Sequence, residues 1–317
     1  MQAIVHRRYG PPLDVLKLEE IDKPVPGDGE VRIRIRAASL NPLDRGFITG
    51  QPFPLRLMRK MPVPGADAAG EVEAVGANVT SLNVGDAVFG TCRSGSLAEY
   101  GCATAAKLAR KPAALSFEEA AAMPVAASTA LQGLRDHLHV QAGQSVLING
   151  GSGGVGTFAV QIAKAFGAVV TGVCSARNVE LVRGLGADRV VDYTAEDFTG
   201  GGARYDAIFD LAGNRSFSEL RRVLAPNGIV VAIGAGVDVR PRWGRYFFDL
   251  ATSRFRSQTY VAFMAKIRSE DLIVLSQLAG AGKIKPAIDR RYPLREAAEA
   301  AQYQFAGHAR GKVIVTI

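Results

Sequence analysis

The chain is poor in the residues that build metal sites and disulfide frameworks. It has three cysteines and four histidines in 317 residues. Cys92, Cys102 and Cys174 are odd in number and widely spaced, with no CxxC pair, which speaks against a disulfide framework or a cysteine zinc site. The histidines, His6, His137, His139 and His308, form no HExxH arrangement, and His137 and His139 stand two apart, so they would not share a helix face. No bound metal is expected. No apolar run approaches the roughly 20 residues that span a bilayer, so stable membrane insertion is not expected either. The start, MQAIVHRRYG, lacks the apolar core of a secretory signal, and the cytoplasm is the expected location. The net charge is +8, but the basic residues are dispersed, which argues against a nucleic-acid partner. One exception is Arg240, Arg242, Arg245, Arg254 and Arg256, interleaved with Trp243, Tyr246, Phe247 and Phe248. This segment reads as a loop and amphipathic helix capping a cleft.

What is present is an ordered change of rhythm. In EVRIRIRAASL, Val31, Ile33 and Ile35 alternate with Arg32, Arg34 and Arg36, the pattern of a half-buried strand. AGEVEAVGANV and VGDAVFG follow, punctuated by Gly and Asn. Short strands broken in this way predict a small barrel-like β domain. Around Ser116 the composition becomes helical, and Ser116 with Glu119 fits a capping box. Then strands that are apolar throughout (SVLING, AVVTGVC, RVVDY, YDAIFDLAG, GIVVAIGAG) alternate with helices. That alternation predicts a doubly wound parallel sheet covered on both faces. After about Gln258 the pattern is mixed: TYVAFMA reads as one more strand, two helices follow, and KVIVTI closes the chain. The expected division is 120–260 for the parallel-sheet domain, with 1–119 and 261–317 forming the other.

The strand SVLIN runs into NGGSGGVGTFAVQIAKAFGA, where Gly151, Gly153 and Gly156 satisfy GxGxxG and the next residues open an amphipathic helix. A glycine-rich turn between a strand and a helix, with a second strand and helix following, is the placement of a dinucleotide-binding fingerprint. Missing Cβ atoms let the backbone approach a pyrophosphate, and the helix N-terminus offers N–H groups and partial positive charge. Gly151, Gly153, Gly154, Val155 and Gly156 are the expected contacts. It is not a Walker loop, because no Gly-Lys-Ser/Thr follows. The end of the second strand selects the dinucleotide. NAD enzymes carry Asp or Glu there to bind the ribose hydroxyls. Nineteen residues after Gly156 lies Ser175, followed by Arg177 and Asn178, with no acid before Glu180. A carboxylate would repel a 2′-phosphate, whereas Ser175 and Arg177 can bind one, so NADP(H) is the expected cofactor.

PGADAAGEVEAVGANVTSLNVGDAVFG, AAAMPVAASTAL and VLINGGSGGVGTFAVQIAKAFGA together resemble a medium-chain dehydrogenase/reductase, and within it the zinc-free quinone oxidoreductases and enone reductases. The resemblance runs through the final GHARGKVIV. It implies a Rossmann domain joined to a GroES-like β-barrel catalytic domain built from both chain ends, with a cleft at their junction. Zinc members of the superfamily carry a cysteine and a Gly-His-Glu as metal ligands. Here Asn41 stands at the cysteine position, Ala66 and Asp67 replace His and Glu, and the four-cysteine structural loop is absent.

The resemblance further implies NADPH-dependent hydride transfer to a quinone or an α,β-unsaturated carbonyl, and a homodimer. It places Asn41 and Thr129 near the nicotinamide, with Asp44 a polar candidate on the same loop as Asn41. Tyr193 matches a tyrosine that packs by the adenosine phosphate. Gly234, Val261 and Phe263 are expected to face the nicotinamide. The sequence also departs from the branch: in NPLDRGFITGQPF the tyrosines and the lysine seen in relatives are missing, and Gly46 stands at the position of both the first tyrosine and the lysine. Solvent is therefore the expected proton source. An alternative from a different class is a non-catalytic NADPH-binding sensor or partner-binding protein.

Overall fold

The computed structural model describes residues 1–51, 62–200, 202–233 and 257–317. They form two compact units, Met1–Ser128 with Ile267–Ile317, and Thr129–Lys266.

The second unit is built on six parallel strands. In spatial order they are Arg189–Asp192, Val169–Cys174, Ser145–Asn149, Tyr205–Asp210, Leu224–Ile233 and Thr259–Phe263. The strands are apolar because helices cover both faces: Val146, Leu147, Ile148, Ile208, Phe209, Val230 and Val231 are all fully buried. Chain order and spatial order reverse between Ser145–Asn149 and Tyr205–Asp210, the switch point at which doubly wound sheets bind ligands. The last strand lies further along the chain than the expected boundary at 261 allows. Val261 pairs with Val231 and Phe263 with Ile233, so the sheet continues across that position and the chain leaves this unit only after Lys266.

The first unit carries a seven-stranded sheet. Its strands run Ile288–Pro293, Lys312–Thr316, Glu30–Leu40, Asp67–Val75, Ala87–Thr91 and Leu108–Arg110, with Tyr100–Thr104 also paired to Glu30–Leu40. The alternation in Glu30–Leu40 is realised as read. Val31, Ile33 and Ile35 enter the core, while Arg32 and Arg36 face outward onto Glu73 and Glu71 at 2.5 and 2.7 Å. Such surface pairs contribute little; the buried row holds the strand. The Ser116 capping box is present: Ser116 Oγ accepts the Glu119 N–H at 3.1 Å and the Glu119 carboxylate accepts the Ser116 N–H at 2.9 Å.

The register of three strands sets up the chemistry. Ser39 pairs with Asp67, and Leu40 pairs with Val313. The end of one strand and the beginnings of two others therefore meet side by side, bringing Ser39, Asn41, Asp67 and Lys312 together. Gly311 makes the entry of the last strand feasible. Its φ is +98° and a Cβ there would lie 2.2 Å from the Ala287 carbonyl oxygen, so only glycine fits.

Candidate active site

In the first unit, Asn41 precedes the helix Pro42–Thr49, and Asp44 sits in that helix's first turn. The Asp44 carboxylate accepts the Asn41 backbone N–H at 2.7 Å, which ties down the helix start. Asn41, Asp44, His6, Leu43, Phe47, Pro64, Gly65, Ala66 and Val125 line a cavity of about 50 Å³.

Behind Asn41 lies a fully buried ion pair that sequence reading did not find. Lys312 and Asp67 have side chains 2% and 0% exposed, with Nζ 3.3 Å from Asp67 Oδ2. The ammonium also donates to Asn41 Oδ1 at 2.7 Å and to the Leu40 carbonyl at 3.2 Å. Asp67 Oδ2 accepts from Ser39 Oγ at 2.8 Å and Asn41 Nδ2 at 2.9 Å, and Oδ1 accepts the Val125 N–H at 3.0 Å. Buried charges persist only when partnered this completely. In the sequence each is only the charged first residue of a strand, Asp67 of Asp67–Val75 and Lys312 of Lys312–Thr316, far apart in the chain.

Burial pushes the Asp44 carboxyl from the ordinary 3.8 up to about 7; the Asn41 N–H opposes the rise, Asp67 adds to it and Lys312 subtracts from it. The cysteines are also buried, and desolvation drives Cys92 to about 12 and Cys174 to about 11. Neither is a thiolate at neutral pH, so cysteine nucleophilic chemistry is not supported.

A zinc ion does not suit the Asn41 cluster. Such an ion needs a set of N, O or S donors close around it. Here Asn41, Ala66 and Asp67 stand at the positions of interest, and both Asp67 oxygens already accept hydrogen bonds, one of them also facing a lysine ammonium. Among the described residues, no three His, Cys, Asp or Glu side chains are grouped to hold a metal.

In the second unit the glycine motif forms the expected turn between the strand Ser145–Asn149 and the helix Gly154–Ala165. Gly150 has φ +94°, and a Cβ on Gly156 would lie 2.0 Å from the Gly150 oxygen, so the turn closes only without that side chain. Gly153 is the N-cap of this helix, which therefore has no side-chain cap. The N–H groups of its first turn, Gly154 and Val155 among them, therefore lack an intrahelical partner. Gly151 is buried at the base of the turn, and Gly153 is half-buried.

Ser175 ends the second strand as the N-cap of a short 3₁₀ turn, Ala176–Asn178. Asn178 Nδ2 donates to Ser152 Oγ at 3.0 Å and to Ser175 Oγ at 3.3 Å, which links the glycine turn to the end of the second strand. Asn178 Oδ1 is buried and has no hydrogen-bond partner among the described residues. Arg177 is exposed, and Tyr193, 48% exposed, follows the third strand, its N–H donating to the Cys174 carbonyl at 3.0 Å. These features fit a dinucleotide: an uncapped helix start, a turn a side chain would fill, two hydroxyls and an orphaned buried polar atom.

At the switch point a second unforeseen cluster ties two strand ends together. Asn149 Nδ2 donates to Asp210 Oδ1 at 2.7 Å and to Asn214 Oδ1 at 2.8 Å, and the Gly213 N–H donates to Asp210 Oδ1 at 3.0 Å.

Thr129 is buried in the helix Pro124–Gln132 and belongs to this second unit, whereas Asn41 and Asp44 belong to the first. Val261 and Phe263 are half-buried on the last strand, and the Phe263 ring packs on His137 with centroids 4.3 Å apart. Gly234 and the arginine and aromatic segment 240–256 lie outside the described residues.

Comparison with known proteins agrees with this architecture. The alcohol dehydrogenase GroES-like domain profile matches residues 27–124, and the zinc-binding dehydrogenase profile matches residues 185–315. A chloroplastic quinone-oxidoreductase of Triphysaria versicolor is 35% identical over 99% of this chain and 98% of its own length. A chloroplastic NADPH-dependent alkenal/one oxidoreductase of Arabidopsis thaliana is also 35% identical, over 99% of this chain and 79% of its own. Among solved structures, the quinone oxidoreductase from Coxiella burnetii superposes with a TM-score of 0.89 at 31% identity, covering 100% of this chain and 99% of that one. A mycobacterial protein complexed with NADPH superposes with a TM-score of 0.84 at 29% identity, covering 100% of both. The chain belongs to the medium-chain dehydrogenase/reductase superfamily, in its quinone oxidoreductase and enone reductase branch. No helix among the described residues is long and apolar enough to cross a membrane.

Proposed function

We propose that the protein is an NADPH-dependent, zinc-independent oxidoreductase that reduces quinones or α,β-unsaturated carbonyls. The observation that carries the reading is the Asn41–Asp67–Lys312 cluster: a hydrogen-bonded amide backed by a buried ion pair stands where zinc relatives hold their metal ligands. Such a site can orient an electron-poor acceptor and donate hydrogen bonds to it. The names of the relatives, quinone oxidoreductases and an alkenal/one oxidoreductase, support the same substrate class.

The cofactor would be held by the second unit. Gly151, Gly153 and Gly156 shape the turn, and the N–H groups of Gly154 and Val155 would be offered to the pyrophosphate. Ser175, Arg177 and Asn178 take the 2′-phosphate, with Tyr193 against the adenosine end. Val261, Phe263 and Thr129 would serve the nicotinamide end. Bound there, NADPH supplies a hydride to the acceptor. An enone that gains hydride at its β-carbon moves an electron pair onto its oxygen, which needs a hydrogen-bond donor. The α-carbon of the enolate then takes a proton from solvent; a quinone ends as the hydroquinone. Asn41 serves the acceptor end, and Asp44 fixes the backbone of Asn41. The chain's own contribution is positioning and exclusion of water.

A homodimer in the cytoplasm is part of this proposal. The last strand of the parallel sheet is half-exposed and Met264 beyond it is 81% exposed, which gives a second copy an apolar edge to meet. The reading is tested by following NADPH oxidation in the presence of a chelator against a panel of quinones and enones, with NADH in parallel. Turnover with NADPH and little with NADH is expected. Tight NADPH binding with no turnover against any acceptor would refute it.

A further inference from the structure

The oxygen and nitrogen of an asparagine side chain look alike, and their assignment rests on the neighbours. At Asn41 the neighbours leave no choice. Lys312 is an ammonium with donors only, and its three N–H groups meet three acceptors: Asn41 Oδ1 at 2.7 Å, the Leu40 carbonyl at 3.2 Å and Asp67 Oδ2 at 3.3 Å. Asp67 is a carboxylate that accepts only, and it takes Asn41 Nδ2 at 2.9 Å. Turning the amide over would set its N–H groups against the ammonium and its oxygen against the carboxylate. Both charges are almost wholly buried, so no water would relieve that clash. The Asn41 oxygen is therefore engaged by Lys312 and one of its two N–H groups by Asp67. The second N–H has no protein acceptor among the described residues, on a residue that lines the cavity with His6, Asp44 and Ala66.

We propose that Lys312 and Asp67 are positioning residues that hold Asn41 as a one-sided hydrogen-bond donor, its second Nδ2–H directed to the carbonyl oxygen of the acceptor. The cation acts on the far end of the same amide. It draws electron density toward Oδ1 and makes the N–H a stronger donor when charge builds on the acceptor oxygen. The inference rests on the reading that the cavity receives a quinone or enone. It gives Asn41 one role, donor and not acceptor, and gives two residues that touch no substrate a share in the rate.

The test is a cycle of variants. Asn41→Ala is expected to lower kcat roughly a hundredfold to a thousandfold, by loss of one donor to the developing oxyanion. Asp67→Asn combined with Lys312→Met removes both charges together, so neither is left buried alone. This pair is expected to lose a similar factor in kcat with the dissociation constant for NADPH unchanged. Adding Asn41→Ala to it is expected to cost no more, whereas a purely structural role would make the losses multiply. Lys312→Arg, which keeps the charge, is expected to keep kcat within a few-fold. A second readout does not depend on turnover. With 15N-labelled asparagine, the Asn41 side-chain amide is expected to give two well-separated proton resonances that move in the Asp67→Asn/Lys312→Met protein. Full kcat in Asn41→Ala, or multiplying losses, would overturn the inference. Absence of any wild-type turnover would instead sink the functional reading, and unmoved amide resonances would by themselves overturn the orientation.

Discussion

The substitution Asp44→Asn should change how stability depends on pH. The side chain is 4% exposed, and burial raises its carboxyl from 3.8 to about 7. A carboxyl whose pKa is higher in the folded chain binds its proton more tightly there. Its stabilising contribution is complete below pH 3.8 and is lost as pH rises through about 7. At about 1.4 kcal/mol for each tenfold change in proton affinity, the full loss is about 4 kcal/mol, of which about 3 kcal/mol falls between pH 5 and pH 8. The amide introduced by Asp44→Asn would still accept the Asn41 N–H through its oxygen but would not titrate. The assay is urea unfolding of both proteins at pH 5 and pH 8. The wild type should lose about 3 kcal/mol more than the variant across that interval, and the remaining titrating groups cancel in the comparison. Parallel pH profiles for the two proteins would show that the carboxyl is ordinary and that the argument from burial fails.

Other outcomes follow from the same geometry. Lys312→Met alone leaves Asp67 buried without its cation and should cost about 3–5 kcal/mol, whereas adding Asp67→Asn should restore most of it; equal melting temperatures for the single and double variants would contradict this. Gly156→Ala places a methyl 2.0 Å from the Gly150 oxygen, so the turn must open. We expect about 1–3 kcal/mol of lost stability and at least tenfold weaker NADPH binding by fluorescence titration, and an unchanged dissociation constant would count against the phosphate turn. Arg177→Ala should weaken NADPH binding by roughly 1.5–3 kcal/mol and barely alter NADH binding; equal effects on both would remove the 2′-phosphate role. Turnover should be the same before and after dialysis against a strong chelator, and loss restored by zinc would refute the metal-free reading.

The sequence determined by itself what depends on near neighbours in the chain. Alternation in Glu30–Leu40, apolar strands between helices, the Ser116 capping box and the glycine turn are all set by residues a few positions apart, where φ/ψ preference and burial periodicity act directly. They sufficed for the class of fold and for the dinucleotide turn. Asn41 and Asp44 stand out as candidates in a motif, but which way the Asn41 amide faces could not be read from it. Only the tertiary structure decided that, because its partners come from other strands. Lys312 lies 271 residues from Asn41 and 245 from Asp67. Within KVIVTI and ADAAG each reads as an ordinary strand-end charge. The pairings of Ser39 with Asp67 and Leu40 with Val313 bring the two together in a place without water, and there a cation and a carboxylate must satisfy one another and whatever lies between them.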